Sequence, residues 1–246
     1  MTDYGFVVVH VPHASLLIPE EYRKTILLTN EALDAELLTM TDAFCDELYF
    51  FAKAGSQIVA SVSRLVCDME RFRDDKDEPC AKKGQGLMYT HTHDGRRLRE
   101  YDNLLRDKIL EEFYDPHHVR LTSAVDTALA NYGKCLIIDG HSFYDVDMPD
   151  FDIGTDDFHT PPALSDILCK KLDELGYSHI KNIPYSGTIT PMKHYGKDKR
   201  VMSVMIETNR KLYQKIGEIG KNSEFEKIRE VCHGLIRCAA EIKPVG

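Results

Sequence analysis

The chain has 246 residues, 43% hydrophobic and 29% charged, with a formal net charge of −9. That length fits one large domain or two small ones, and the composition is globular, which excludes disorder. The acidity argues against nucleic acid as a partner, the apolar runs are too short to span a bilayer, and no basic, apolar leader opens the sequence.

A soluble, cytoplasmic protein is expected. The seven cysteines are odd in number and form no CxxC pair. Cys45, Cys67, Cys135, Cys169 and Cys232 sit in apolar stretches and read as small buried hydrophobes in a reducing compartment.

Residues 6–11 predict the first strand, which runs into Pro12-His13-Ala14-Ser15. A long helix follows, capped by Asn30. Its apolar stripe is Leu33, Leu37, Met40, Phe44, Leu48 and Phe51 at helical spacing. Two strands are predicted over 57–61 and 64–69. Helices over 96–113 and 117–131 come next, broken at Asp115-Pro116. A strand over 135–139 ends in Asp139-Gly140-His141-Ser142. A helix over 161–175 stops at Gly176, strands cover 179–183 and 201–207, and an amphipathic helix over 222–242 closes the chain. Strands alternating with helices imply a mostly parallel sheet covered on both faces. Residues 72–94 and 143–160 are long polar loops, which in a compact domain are usually functional. With no repeat or linker, a single domain over 1–246 is expected.

Three of these strands end in groups that carry chemistry: His10 and His13, then Asp139 and His141, then Glu207. Imidazoles plus a carboxylate base at one strand edge suit a zinc hydrolase. His141 is the first metal candidate, and Asp139, two residues earlier on the same strand face, is either a co-ligand or the group that orients its ring. His13 follows a stiffening proline and precedes small residues, so it is preferred over His10, whose place within the strand suits a core role. Glu207 is either a general base or a buried acid neutralised by Arg64 or Arg210. Arg64 and Arg71 flank the 64–69 run. They either pair with Asp68 or Glu70, or grip a substrate carboxylate. Asp42, off the helix stripe, reads as a solvated acid. His91, His93, His117 and His118 suit the surface, whereas His194 precedes the Glu207 strand and can approach the pocket from a loop. No Gly-x-Ser-x-Gly elbow is present, which argues against a serine nucleophile.

In chain order the sequence also carries Val11-Pro12-His13-Ala14-Ser15, Thr41-Asp42, Ser63-Arg64-Leu65-Val66-Cys67-Asp68-Met69-Glu70-Arg71, Asp139-Gly140-His141-Ser142, Gly187-Thr188-Ile189-Thr190, His194-Tyr195-Gly196, and Glu207-Thr208-Asn209-Arg210. This ordered set resembles the N-formylglutamate amidohydrolase family, a branch of the zinc-carboxypeptidase-like α/β hydrolases. The resemblance implies a three-layer α/β/α fold, phosphorylase/hydrolase-like, with a mixed, mostly parallel sheet. It implies zinc held by His13, Asp42 and His141, and Glu207 as base, with Arg64 also in the catalytic set. A small anionic substrate would meet Arg64, Arg71, Ser142, Asn209 and Arg210. Glu70 and Ala14-Ser15 depart from the family, which often has Asn and Gly there. Other readings are a metallohydrolase for another acylated amino acid or short peptide, and a metal-free small-molecule-binding protein.

Overall fold

The apolar runs that end in His10, Asp139 and Glu207 form the centre of one six-stranded sheet. The computed structural model describes residues 3–243. Its strands are β1 (Val7–Val11), β2 (Ser56–Val59), β3 (Cys135–Phe143), β4 (Phe151–Gly154), β5 (His179–Lys181) and β6 (Val201–Asn209). Its helices are α1 (Glu20–Arg23), α2 (Asn30–Met40), α3 (Cys45–Leu48), α4 (Asn103–Ile109), α5 (Asp115–Tyr132), α6 (Pro162–Leu175) and α7 (Phe225–Ala239). The strand order is β2-β1-β3-β6-β4-β5. β3 runs parallel to both β1 and β6, β4 is antiparallel to β6, and β5 is parallel to β4, so the sheet is mixed and mostly parallel. β1, β3 and β6 are buried along their whole length, as a sheet covered on both faces requires.

The described residues divide into two compact units. The first comprises the described residues up to Val11, Phe44–Ile58 and those from Arg120 onward, and the second Pro12–Ala43 and Val59–Val119. In the first unit, Leu121, Ala124, Val125 and Ala128 of α5 pack on Val8, Ile137 and Val201. The opposite sheet face takes Tyr49. Its ring lies 2.6 Å from where a Cβ on Gly140 would stand, so only glycine fits there. In the second unit, two apolar clusters form the core. One gathers Val66, Cys67, Met69, Leu87 and Ile109, and the other Leu33, Leu65, Tyr89 and Leu98.

Four expectations are corrected. The helix from Asn30 does not reach Phe51. Thr41 turns extended (φ −88°, ψ 133°) and Phe44 adopts φ 67°. The Asp42 N–H donates to the His13 carbonyl at 3.0 Å, a long-range bond that replaces the helical one. The cap is Thr29, whose hydroxyl accepts the Ala32 N–H. Residues 64–69 form turns, not a strand: Val66 and Cys67 both donate to the Ser63 carbonyl. The helix expected from residue 96 starts at Asn103, capped by Asp102. It is not broken at Asp115-Pro116. A π-helical turn, Leu110–Tyr114, joins α4 to α5, with Asp115 N–H donating to Leu110 O. This five-residue register accommodates a proline that an α-helical register would reject. β4 lies in the expected long loop, hidden by its aspartates. Asp152 is fully buried, but its carboxylate accepts the Ile183 and Tyr185 N–H groups at 3.3 and 3.1 Å.

Candidate active site

β3 continues past Asp139 to Phe143, so His141 lies within the strand and not beyond it. The pleat then decides which side chains share a face. Ile137, Asp139 and His141 alternate onto one face. His10 pairs with Asp139 in register, and Glu207 pairs with His141. Paired residues of parallel strands share a face, so His10, Asp139, His141 and Glu207 project together. Asp139 is the hub of this group. One carboxylate oxygen meets His10 Nδ1 at 2.8 Å and His141 Nε2 at 3.2 Å, and the other accepts the Ile189 N–H at 3.0 Å. Burial alone would raise the Asp139 pKa. The His141 charge and the His10 hydrogen bond outweigh it and hold the carboxyl well below the usual range.

The same pleat sends Ser142 to the other face, in register with Thr208. Thr208 Oγ1 bonds the Tyr49 hydroxyl there. Ser142 therefore points away from His141, not beside it. Asn209 is fully buried. Its amide donates to the Asp145 and Pro149 carbonyls at 2.6 and 3.1 Å, and its oxygen accepts the Lys211 N–H. It clamps the loop that follows β3. Arg210 is buried and opens a short 3₁₀ turn, Arg210–Leu212.

The second unit carries a group around Asp68. This fully buried carboxylate meets His13 Nε2 at 2.8 Å, Arg64 Nη2 at 2.9 Å, Arg71 Nε at 3.5 Å and the Tyr89 hydroxyl at 2.6 Å. Burial opposes its ionisation, but the charges of His13, Arg71 and Arg64 prevail and hold it well below the usual carboxylate range. Burial also pushes Tyr89 up to about 12. Asp42, docked on the His13 backbone, places Oδ2 3.6 Å from His13 Nδ1. The structure thus pairs Arg64 and Arg71 with Asp68. The sequence signal was an acid inside an apolar run, flanked by arginines at i−4 and i+3, because buried acids are almost always paired.

Asp68 gives a direct stability test. Asp68→Ala leaves two arginines and a histidine without their buried counter-charge, which costs about 3–5 kcal/mol. Urea denaturation followed by circular dichroism should show that loss. A change within about 0.5 kcal/mol would mean that the guanidinium groups are solvated instead.

The other histidines have local partners. His93 Nδ1 meets buried Glu36 at 2.7 Å, His91 meets Thr90, His118 Nε2 meets the Met69 carbonyl, and His194 Nε2 meets Asp126 at 2.8 Å. Among the described residues all seven cysteines are free thiols, and no helix is long and apolar enough to cross a membrane.

A mixed α/β sheet presenting histidines and carboxylates from its strands defines an α/β fold equipped for acid–base and ligand chemistry. The sequence profile of the N-formylglutamate amidohydrolase family matches residues 6–214, and the chain belongs to that family. It is 29% identical over 228 residues to N-formylglutamate deformylase of Pseudomonas putida, covering 84% of this chain and 81% of that protein. It is 31% identical over 194 residues to the Pseudomonas aeruginosa protein of the same name, covering 71% of each. The fold matches the crystal structure of N-formylglutamate amidohydrolase from Ralstonia eutropha JMP134 (TM-score 0.82, 22% identity, 96% of this chain and 94% of that one). A gene product of Agrobacterium tumefaciens has a similar fold (TM-score 0.69, 20% identity, covering 96% and 91%).

Proposed function

We propose that this protein hydrolyses the amide of N-formyl-L-glutamate to glutamate and formate, with zinc as cofactor. The observation that carries this reading is the family match across residues 6–214. The ligands proposed are His13, Asp42 and His141. Each histidine gives Nε2 to a buried carboxylate, Asp68 or Asp139, which is the outer-shell arrangement that orients ligand imidazoles. Within the second unit His13 Nδ1 stands 3.6 Å from Asp42 Oδ2, so these two side chains could share one small cation. Bound zinc supplies Lewis acidity, acidifying water and polarising an acyl oxygen.

The chain's own residues do the rest. Glu207 takes the proton of the attacking water and returns it to the departing amine as the C–N bond breaks. Asp139 holds the His141 ring in one orientation. Arg64 and Arg71 each give one edge to Asp68, and their further N–H donors hold the substrate carboxylates. Glu70, whose N–H bonds Asp68 Oδ1 at 3.0 Å, adds negative charge beside Arg71 in the sequence. This favours, as a second reading, an acylated amino acid with fewer charges.

Formate release from N-formyl-L-glutamate, measured beside metal content, tests the proposal. Turnover with about one zinc per chain is the expected result. Zinc without turnover points to another acyl amino acid, and neither zinc nor turnover to a binding protein. Arg71→Ala separates the substrate readings. Losing one charged contact costs about 2–3 kcal/mol, or one to two orders of magnitude in kcat/KM. N-formylglutamate should suffer that loss and N-formylleucine should not. Equal losses on both would make Arg71 a support of the fold.

A further inference from the structure

In the helical layer behind the Tyr49 face of the sheet, an open cavity of about 650 Å³ lies between the segment after α3 and α7. This face is the opposite one from His141 and Glu207. We propose that the cavity binds a zwitterionic α-amino acid. The proposal goes beyond the hydrolytic reading and does not depend on it.

Several polar groups of this cavity have hydrogen-bonding capacity to spare. Among the described residues, Asp46 and Lys53 form no ion pair, yet both line it. Burial and the neighbouring Glu47 raise the Asp46 pKa, against the opposing pull of its own and Glu47's backbone N–H groups and of Lys221. Arg229 pairs with Glu226 through Nη2, but its Nε is buried and has no hydrogen-bond partner. His233 Nε2 is likewise buried with none. The His233 ring engages the Phe50 backbone by a hydrogen bond, which falls to Nδ1, and burial lowers its pKa. A neutral ring that donates from Nδ1 offers a bare acceptor at Nε2.

Of the other charged groups that line it, Glu47 pairs with Lys221 and Glu230 with Arg237, which leaves two acceptors, Asp46 and His233 Nε2, and two donors, Lys53 and Arg229 Nε. An ammonium satisfies the first pair and a carboxylate the second. An anion alone would bring a second negative charge to Asp46, and a cation alone would face Lys53 and Arg229. The volume lies in the range of small-ligand clefts, and Phe50, 56% exposed, supplies an apolar rim. Tyr49, next in sequence to Phe50, bonds the His141 and Ile206 carbonyls at 3.3 and 2.8 Å. The cavity wall is thus hydrogen-bonded to the strands that carry His141 and Glu207.

The chain has no tryptophan, so Phe50→Trp places a single fluorescent reporter at the rim. Titration of this variant with L-glutamate should give a saturable emission change. Arg229→Ala in the same background should weaken that binding about tenfold or more, since a charge-assisted bond is lost. Lys53→Met, on an exposed loop, repeats the test without touching α7, and circular dichroism verifies folding of each variant. Glutarate, which lacks the ammonium, and 1,4-diaminobutane, which lacks the carboxylate, should bind at least about tenfold more weakly than glutamate. The proposal fails if emission never saturates, if both well-folded variants bind as before, or if glutarate matches glutamate.

Discussion

Under the proposed zinc-dependent function, His141→Ala is expected to lose bound zinc and all measurable hydrolysis while the fold survives. Fold survival follows from the Asp139 network. Removing the imidazole ring costs Asp139 one partner, but its carboxylate keeps His10 at 2.8 Å and the Ile189 N–H at 3.0 Å. The stability penalty is then that of one buried hydrogen bond plus a small cavity, about 1–3 kcal/mol. The metal penalty is far larger, because a three-ligand set reduced to two no longer holds a catalytic ion. Elemental analysis and circular dichroism on the same preparation give the answer. Stoichiometric zinc in the variant would remove His141 from the ligand set, and an unfolded variant would make the His10–Asp139–His141 network structural.

Glu207→Gln is expected to keep both zinc and fold and to lose turnover by about a hundred- to ten-thousand-fold, the usual worth of a general acid–base group. Glu207 sits in β6 directly across from His141, on the face shared with Asp139 and His10. Glutamine preserves its size and hydrogen-bonding shape but cannot take a proton. The loss should fall on kcat and kcat/KM alike, as for a group that acts in the transition state. Turnover within about threefold of the parent would instead make Glu207 a structural acid. A destabilised variant would favour the ion-pair reading that the sequence also allowed.

The contrast between residues that were legible in sequence and those that were not has a physical cause. β1, β3 and β6 could be read because a strand covered on both faces is an unbroken apolar run, and a polar residue at its end stands out. His10, Asp139, His141 and Glu207 were visible for that reason. Pleat parity then fixes which of them share a face, and applied to Ser142 it gives the opposite face. β4 was not legible, because Asp152 is a poor strand former and its burial rests on N–H groups about thirty residues away.

The helix stripe through Met40, Phe44 and Leu48 was real hydrophobic periodicity, yet the backbone leaves the helix at Thr41 and takes φ 67° at Phe44. Local propensity carries no information about the His13 carbonyl that captures the Asp42 N–H. Asp68 shows the same limit. Its arginines are close in sequence, but Tyr89 lies 21 positions away and His13 lies 55 away. The sequence by itself determined the α/β class, the central strands and the residue types of the site, because burial and period are written locally. Only the tertiary structure decided which carboxylate each histidine and arginine meets, because a buried charge takes whichever partner the fold brings within hydrogen-bond distance.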